Sequence, residues 1–206
     1  MIETTDTPRP AAGRWKFLAL AVLFLAPIVA ATLLYHLGWR PQGTVNAGEL
    51  LDPARPIDAG GLIDLAGRPL AQPVLKGKWT MLYFGPSDCG TVCDRMLYYM
   101  RQVHAAQGKE AHRIERLFVA TDAGALDWLR FTVKNYPEMR VAAGPSDTVR
   151  DLARQFALPA GSPLDGLNRL YIVDPLGNFM MSYPADVDPS AMRKDFVKLL
   201  KLSQIG

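Results

Sequence analysis

Cys89 and Cys93 are the only cysteines in the 206-residue chain, and Gly90, Thr91 and Val92 separate them. Two thiols this close can cycle between dithiol and disulfide, or hold a soft cation such as copper(I) or zinc, although two ligands alone leave a metal site open. With Cys89 in the preceding loop or cap, a four-residue step along a helix turns about 400°, so both side chains can share a face. The Cα separation for such a step lies near the upper end of disulfide geometry, so a bond there requires the first turn to distort. The spacer is one residue longer than that of the usual dithiol oxidoreductase motif. A domain of this size needs no covalent staple, and a lone local pair is better explained by chemistry than by folding. An inert disulfide in a binding module is the bland alternative, and it would show a very negative reduction potential, below about −300 mV.

The neighbouring patterns say what positions the pair. Trp79 to Phe84 is a short apolar run of the buried-strand type, and it ends in Gly85 and Pro86. Met96, Leu97, Met100 and Val103 recur at helical spacing, which puts Cys93 in the first turn of a helix reaching about Gln107. There the positive end of the helix dipole stabilises a thiolate and lowers the thiol pKa. Residues 61–70, punctuated by Gly67 and Pro69, read as a hairpin, and Ile114 to Thr121 as a second strand. Helices are expected over roughly 125–135, stopping before Pro137, and from Ser146 as N-cap with Val149, Leu152 and Phe156 on one face. Leu170 to Val173 is a strand, Asp174-Pro175-Leu176-Gly177 has turn chemistry, and Asn178 to Tyr183 should return antiparallel. A last helix starts at Asp188 with Pro189 in its first turn and buries Met192, Phe196, Leu199 and Leu200. The order implies an α/β domain with a mixed sheet.

From Phe17 to Leu37 the chain carries no Asp, Glu, Lys or Arg. As a helix this stretch would be about 31 Å long, enough to span a bilayer. It exceeds a typical signal-peptide core and lacks a small-x-small cleavage site before Gly38, which favours a retained anchor. Glu3 and Asp6 argue against a mitochondrial transit peptide. Arg9, Arg14 and Lys16 before the span, against Arg40 after it, place the N-terminus in the cytoplasm and the domain outside, where disulfides persist. Pro41, Gly43, Gly48, Pro53 and Pro56 mark 38–56 as a linker. The division is therefore 1–16 cytoplasmic, 17–37 transmembrane, 38–56 linker and 57–206 domain. With 49% hydrophobic and 21% charged residues, a formal charge of +3 and no basic run, nucleic acid is excluded as a partner.

At the cysteines the chain resembles the Sco (SenC) family of cytochrome c oxidase copper-assembly factors. The resemblance runs from about Asp58 to Asn178: Leu62, Asp64 and Gly67 of a hairpin element, Lys76 through Gly85, Cys89-x-x-x-Cys93, and Tyr171 through Gly177. It implies a thioredoxin-like fold, a mixed sheet flanked by helices on one N-terminal transmembrane helix, with a cysteine pair that binds copper and cycles through a disulfide. It also implies partners: protein thiols or copper-site cysteines of an oxidase subunit or another assembly factor, met from the periplasmic side of a bacterial inner membrane. Three departures stand out. Gly90 and Asp94 occupy places where the family has proline, and Gly166, after Asp165, stands where the family has its third copper ligand, a histidine. Copper(I) should therefore be held weakly by Cys89 and Cys93 alone, while thiol chemistry persists. His104 is about 16 Å along the helix from Cys93, too far to share a metal. His112 reads as a loop residue, His36 as a membrane-boundary residue, Met180 and Met181 as packing, and Tyr98 and Tyr99 as aromatic filler. A general periplasmic thiol:disulfide oxidoreductase of thioredoxin type is the alternative function. Ser87-Asp88-Cys89-Gly90 also resembles glutathione-peroxidase-like enzymes, but no tryptophan here is followed by the asparagine they require.

Overall fold

The structure, a computed structural model, describes residues 12–38, 46–166 and 168–205. The chain divides into two compact units, Met1–Gly43 and Thr44–Gly206. The described part of the first unit is the helix α1 (Ala12–His36), which contains Pro27. Its segment Trp15–His36 is long and apolar enough to cross a membrane, with none of it buried by protein. Thr32 is accommodated there because its Oγ1 donates to the Ile28 carbonyl, 2.8 Å away. Arg9 and Arg40, on which the orientation argument partly rests, lie outside the described residues.

The second unit is one six-stranded mixed sheet. Its strands are β1 (Glu49–Pro56), β2 (Trp79–Gly85), β3 (Ile114–Ala120), β4 (Met139–Ala142), β5 (Arg169–Val173) and β6 (Asn178–Pro184), in the spatial order β1-β6-β5-β2-β3-β4. β2, β3 and β4 run parallel, whereas β5 pairs antiparallel with both β2 and β6, as does β1 with β6. The helices are α2 (Thr91–Ala105), α3 (Leu126–Thr132), α4 (Ser146–Gln155) and α5 (Pro189–Leu202).

β2 is central and buried over its whole length, which explains its unbroken apolar sequence. Alternation sends Trp79, Met81 and Tyr83 to the face covered by Met96, Leu97 and Met100 of α2 and Met192 and Phe196 of α5. Leu82 and Phe84 go to the other face, with Val149, Leu152 and Phe156 around α4. Phe156 is wholly buried there, its ring 5.4 Å from Phe84, 5.2 Å from Tyr171 and 5.0 Å from Phe179, centroid to centroid. Phe156→Ala should therefore destabilise the domain by about 3–5 kcal/mol, read as a lowered denaturation midpoint.

The structure corrects several expectations. Glu49–Pro56 is a strand rather than the end of a linker. It is an exposed edge strand whose register with β6 shifts between Leu50 and Arg55, so Pro53 falls where the ladder needs no donor. β4, unforeseen, is a four-residue edge strand between Pro137 and Gly144, too short to show alternation. Ser146 is the first residue of α4, and Pro145 rather than Ser146 is its N-cap. The expected helix over 125–135 splits into α3 and a 3₁₀ turn, Val133–Asn135. The hairpin forms as a tight loop: the Leu70 amide donates to the Leu62 carbonyl (2.9 Å) and Asp64 caps the turn through the amides of Ala66 and Arg68. Asp188 caps α5 as expected, its Oδ1 accepting from the Ser190 amide at 2.9 Å, while Leu199 is only partly buried.

Candidate functional site

The site forms where β2 ends. Gly85 is required by close approach: a Cβ there would lie 2.8 Å from ring atoms of both Tyr83 and Phe118. The chain then turns sharply, the Cys89 amide donating to the Pro86 carbonyl at 3.2 Å, and Cys89 takes a positive φ of 32°. Gly90 is the N-cap of α2, and the first helical bond runs from the Asp94 amide to the Gly90 carbonyl (3.0 Å). Cys93 thus sits in the first turn, among amides that have no partner in the helix.

Cys89 and Cys93 are joined as a disulfide, with Cα atoms 5.1 Å apart. That separation is well inside the usual range and shorter than a four-residue helical step suggests. The reason is that Cys89 lies ahead of the N-cap in a left-handed conformation, which folds it back over the first turn. Both residues are nearly buried, Cys89 at 7% exposure and Cys93 at 3%.

Sequence reasoning missed the residues that hold this loop. The Ser87 hydroxyl donates to Asp122 Oδ1 and the Ser87 amide to Asp122 Oδ2 (3.1 Å), while Ser87 Oγ accepts from the Ala125 amide at 2.8 Å. Ser87 and Asp122 therefore pin the cysteine loop to the loop that follows β3. Burial pushes the Asp122 carboxyl up, but the donors from Ser87 and the Gly124 amide outweigh it and hold the group below its ordinary value. A depressed carboxyl pKa contributes stability in full above the unfolded value, near 4, and loses it as the pH falls through the folded value. Asp122→Asn should lower the denaturation midpoint at neutral pH, and its difference from wild type should shrink as the pH falls below about 4. A parallel series of urea titrations measures this. Asp94, where the Sco resemblance implies proline, has its own partner: the Tyr136 hydroxyl donates to Asp94 Oδ1 at 2.6 Å.

Beside the disulfide lies an open groove of about 400 Å³, lined by Tyr83, Asp88, Val92, Cys93 and Asn168 among others. The Tyr83 hydroxyl donates to Asn168 Oδ1 (2.9 Å), and Asn168 Nδ2 donates to the Gly166 carbonyl (3.1 Å). Burial pushes the Tyr83 phenol up to about 12 against the nearby Arg95, so it remains a donor at any physiological pH. No local pattern marks Tyr83 or Asn168, because 85 positions separate them.

The other candidates lie elsewhere. His104 and His112 line a separate cavity with Lys78, Glu115, Glu138 and Arg140, where the parallel strands begin. Burial, reinforced by Arg116, holds the His104 pKa down. Met181 is core, its sulfur packed so closely on the chain just before β1 that a Cβ at Gly48 would lie 2.4 Å from it, and Met180 is partly buried against the same cluster. Tyr98 is half exposed beside Tyr99, and His36 ends α1 against Tyr35.

A mixed sheet flanked by helices, with a cysteine pair at the start of the helix after its first central strand, defines a thioredoxin-like domain. The chain belongs to the family of transmembrane-like, thioredoxin-like proteins: the C-terminal domain of that description matches residues 79–203 and its N-terminal domain residues 8–38. It is similar to the mitochondrial protein SCO2 of Saccharomyces cerevisiae, 26% identical over 136 residues, covering 58% of this chain and 44% of SCO2, so it spans less than half of that relative. Copper-bound yeast Sco1 shares the fold with TM-score 0.60 at 19% identity, covering 78% of this chain and 96% of Sco1. So does BsSco, described as a Sco-family cytochrome c oxidase assembly protein with a disulfide switch, with TM-score 0.57 at 16% identity over 73% and 96% of the two chains. The Sco/SenC resemblance and the thioredoxin-like fold expected from the sequence are borne out.

The donor set does not fit a three-ligand copper site. The groove offers the Cys93 sulfur, bonded to Cys89, together with phenol, hydroxyl, amide and carboxylate groups. Among the described residues no three His, Cys, Asp or Glu side chains converge to hold a metal. Gly166, where the Sco resemblance implies a histidine, has a φ of +74°.

Proposed function

We propose that the chain is a membrane-anchored, Sco-like thiol-redox accessory protein in the assembly of the copper centre of cytochrome c oxidase, with Cys89 and Cys93 as its working residues. The observation that carries this reading is the cysteine pair itself, bonded at the start of α2 beside an open groove in a Sco-like domain. In the reduced form one thiolate attacks a partner disulfide and forms a mixed disulfide. The second thiol then displaces the partner, which leaves with both of its sulfurs reduced, two electrons having passed and Cys89–Cys93 having closed. The partners are protein thiols, namely copper-site cysteines of an oxidase subunit or of another assembly factor. The setting is a bacterial inner membrane, with residues 1–16 in the cytoplasm, 17–37 in the bilayer and the domain in the periplasm. As SCO2 and Sco1 are similar and copper-bound Sco1 is known, copper(I) is a transient visitor to the two thiolates here.

The missing third ligand favours a second reading, general thiol:disulfide exchange in the same compartment. One experiment separates them. Deleting the gene should lower the activity of copper-containing oxidase in isolated membranes, and the wild-type chain, but neither Cys89→Ser nor Cys93→Ser, should restore it. Unchanged oxidase together with a general loss of periplasmic disulfide exchange would favour the second reading and overturn the first.

A further inference from the structure

Among the described residues, Asp88 is the one charged group that lines the groove beside the disulfide. It is exposed and directly precedes Cys89. The other acids on the loops and helix starts around the site are each held by a partner. Asp94 Oδ1 accepts from the Tyr136 hydroxyl at 2.6 Å, and Asp122 accepts from the amides of Ser87 (3.1 Å) and Gly124 (3.0 Å). Asp127 pairs with Arg130, and Asp165 Oδ2 accepts from the Ser162 amide at 3.0 Å. Asp88, among the described residues, has neither a hydrogen bond nor an ion pair. Arg95 of α2 is near enough to act on the Tyr83 phenol, yet it does not line the groove. The fold therefore leaves one carboxylate uncommitted, and it stands at the sulfurs.

Neighbouring Cα atoms are about 3.8 Å apart, which keeps the Asp88 carboxylate within about one Debye length, roughly 10 Å at 0.1 M salt, of the Cys89 sulfur. In thiol–disulfide exchange a charge on the incoming molecule lies only a few bonds from its own sulfur. It therefore meets Asp88 in the mixed disulfide and in the transition states on either side of it. Opposite charge lowers these states and like charge raises them. We propose that Asp88 is a specificity-determining residue, selecting thiol and disulfide partners that carry positive charge beside their sulfur, such as a protein cysteine flanked by lysine or arginine. The inference rests on the redox reading of Cys89 and Cys93 and names the partner class of that site. With a cationic disulfide as oxidant, one protein thiolate attacks a partner sulfur and releases the first partner thiolate. The second protein thiol, deprotonated, then displaces the other, so that two electrons pass to the partner and two partner thiols leave as Cys89–Cys93 closes.

The test uses the reduced full chain in neutral detergent, oxidised by cystamine (a dication), hydroxyethyl disulfide (neutral) or dithiodipropionate (a dianion), with the remaining thiols read by mass-tagged maleimide. Dividing each rate by that of dithiothreitol with the same disulfide removes the reagents' own reactivity. At about 20 mM salt the normalised cystamine rate should exceed the dithiodipropionate rate at least about tenfold, and about 0.5 M salt should shrink that ratio at least about threefold. Asp88→Asn should lower the low-salt ratio at least about threefold, and Asp88→Lys should lower it further. The neutral disulfide reports the intrinsic reactivity and folding of each variant, and the ratio cancels any change in either. A wild-type ratio near one, or a ratio that both substitutions leave unchanged, would overturn the proposal while the redox reading stands. Failure of all three disulfides to oxidise the chain would overturn the redox reading itself, and this inference with it.

Discussion

Cys89→Ser and Cys93→Ser should each abolish dithiol–disulfide cycling outright, while wild type passes completely between two forms. The two residues are nearly buried, Cys93 lines an open groove, and their loop is pinned by Ser87 and Asp122. Reduction therefore has a defined product: two thiols beside the amides of the first turn of α2, where the positive end of the helix favours negative charge. Alkylation with a mass-tagged maleimide, with and without mild reduction, reads this directly. Wild type should accept no tag when oxidised and two when reduced, and each serine variant one tag in either state. With a partner disulfide present, the variant that keeps the attacking sulfur should accumulate a mixed disulfide, which identifies that sulfur. Full alkylation of oxidised wild type, or resistance of both sulfurs to mild reduction, would refute the redox role and leave an inert staple.

Much of the arrangement around these sulfurs can be read from local sequence because the forces are local. β2 announces itself as an unbroken apolar run because a central strand is buried on both faces, and the 3.6-residue period of Met96, Leu97, Met100 and Val103 reports the single buried face of α2. Asp188 and Pro189 mark the start of α5 through capping chemistry that acts within one turn. The edge strands escape for the opposite reason. β1 is mostly exposed and holds prolines, and β4 has four residues, so neither needs an apolar pattern and each is defined by its partner. The site's support is equally non-local. Ser87 meets Asp122 across 35 positions, and Tyr83 meets Asn168 across 85. The Cα separation of the cysteines falls short of a four-residue helical step because one residue, Cys89, takes a positive φ.

Gly166→His should raise copper(I) affinity at least about tenfold, which corresponds to roughly 1.4 kcal/mol. Reduced wild type supplies the Cys93 thiolate at the groove with that of Cys89 next to it, and an imidazole beside them would complete a three-coordinate site of the kind copper(I) accepts. Gly166 is placed for this, since its carbonyl is bonded to Asn168, which lines the groove with Cys93. Space is available: a Cβ on Gly166 meets no heavy atom within 4 Å. The obstacle is the backbone, whose φ of +74° costs an L side chain about 1–2 kcal/mol, although histidine is among the residues that tolerate this region best. Gly166→Ala isolates that cost, because it imposes the same strain without a ligand. Competition against a copper(I) chelator should therefore rank Gly166→His above wild type, Gly166→Ala level with wild type or slightly below it, and Cys89→Ser far below all three. If wild type already binds as tightly as a three-ligand site, loses that affinity in Cys89→Ser and gains nothing from the added imidazole, the chain has another ligand and the two-thiolate account fails.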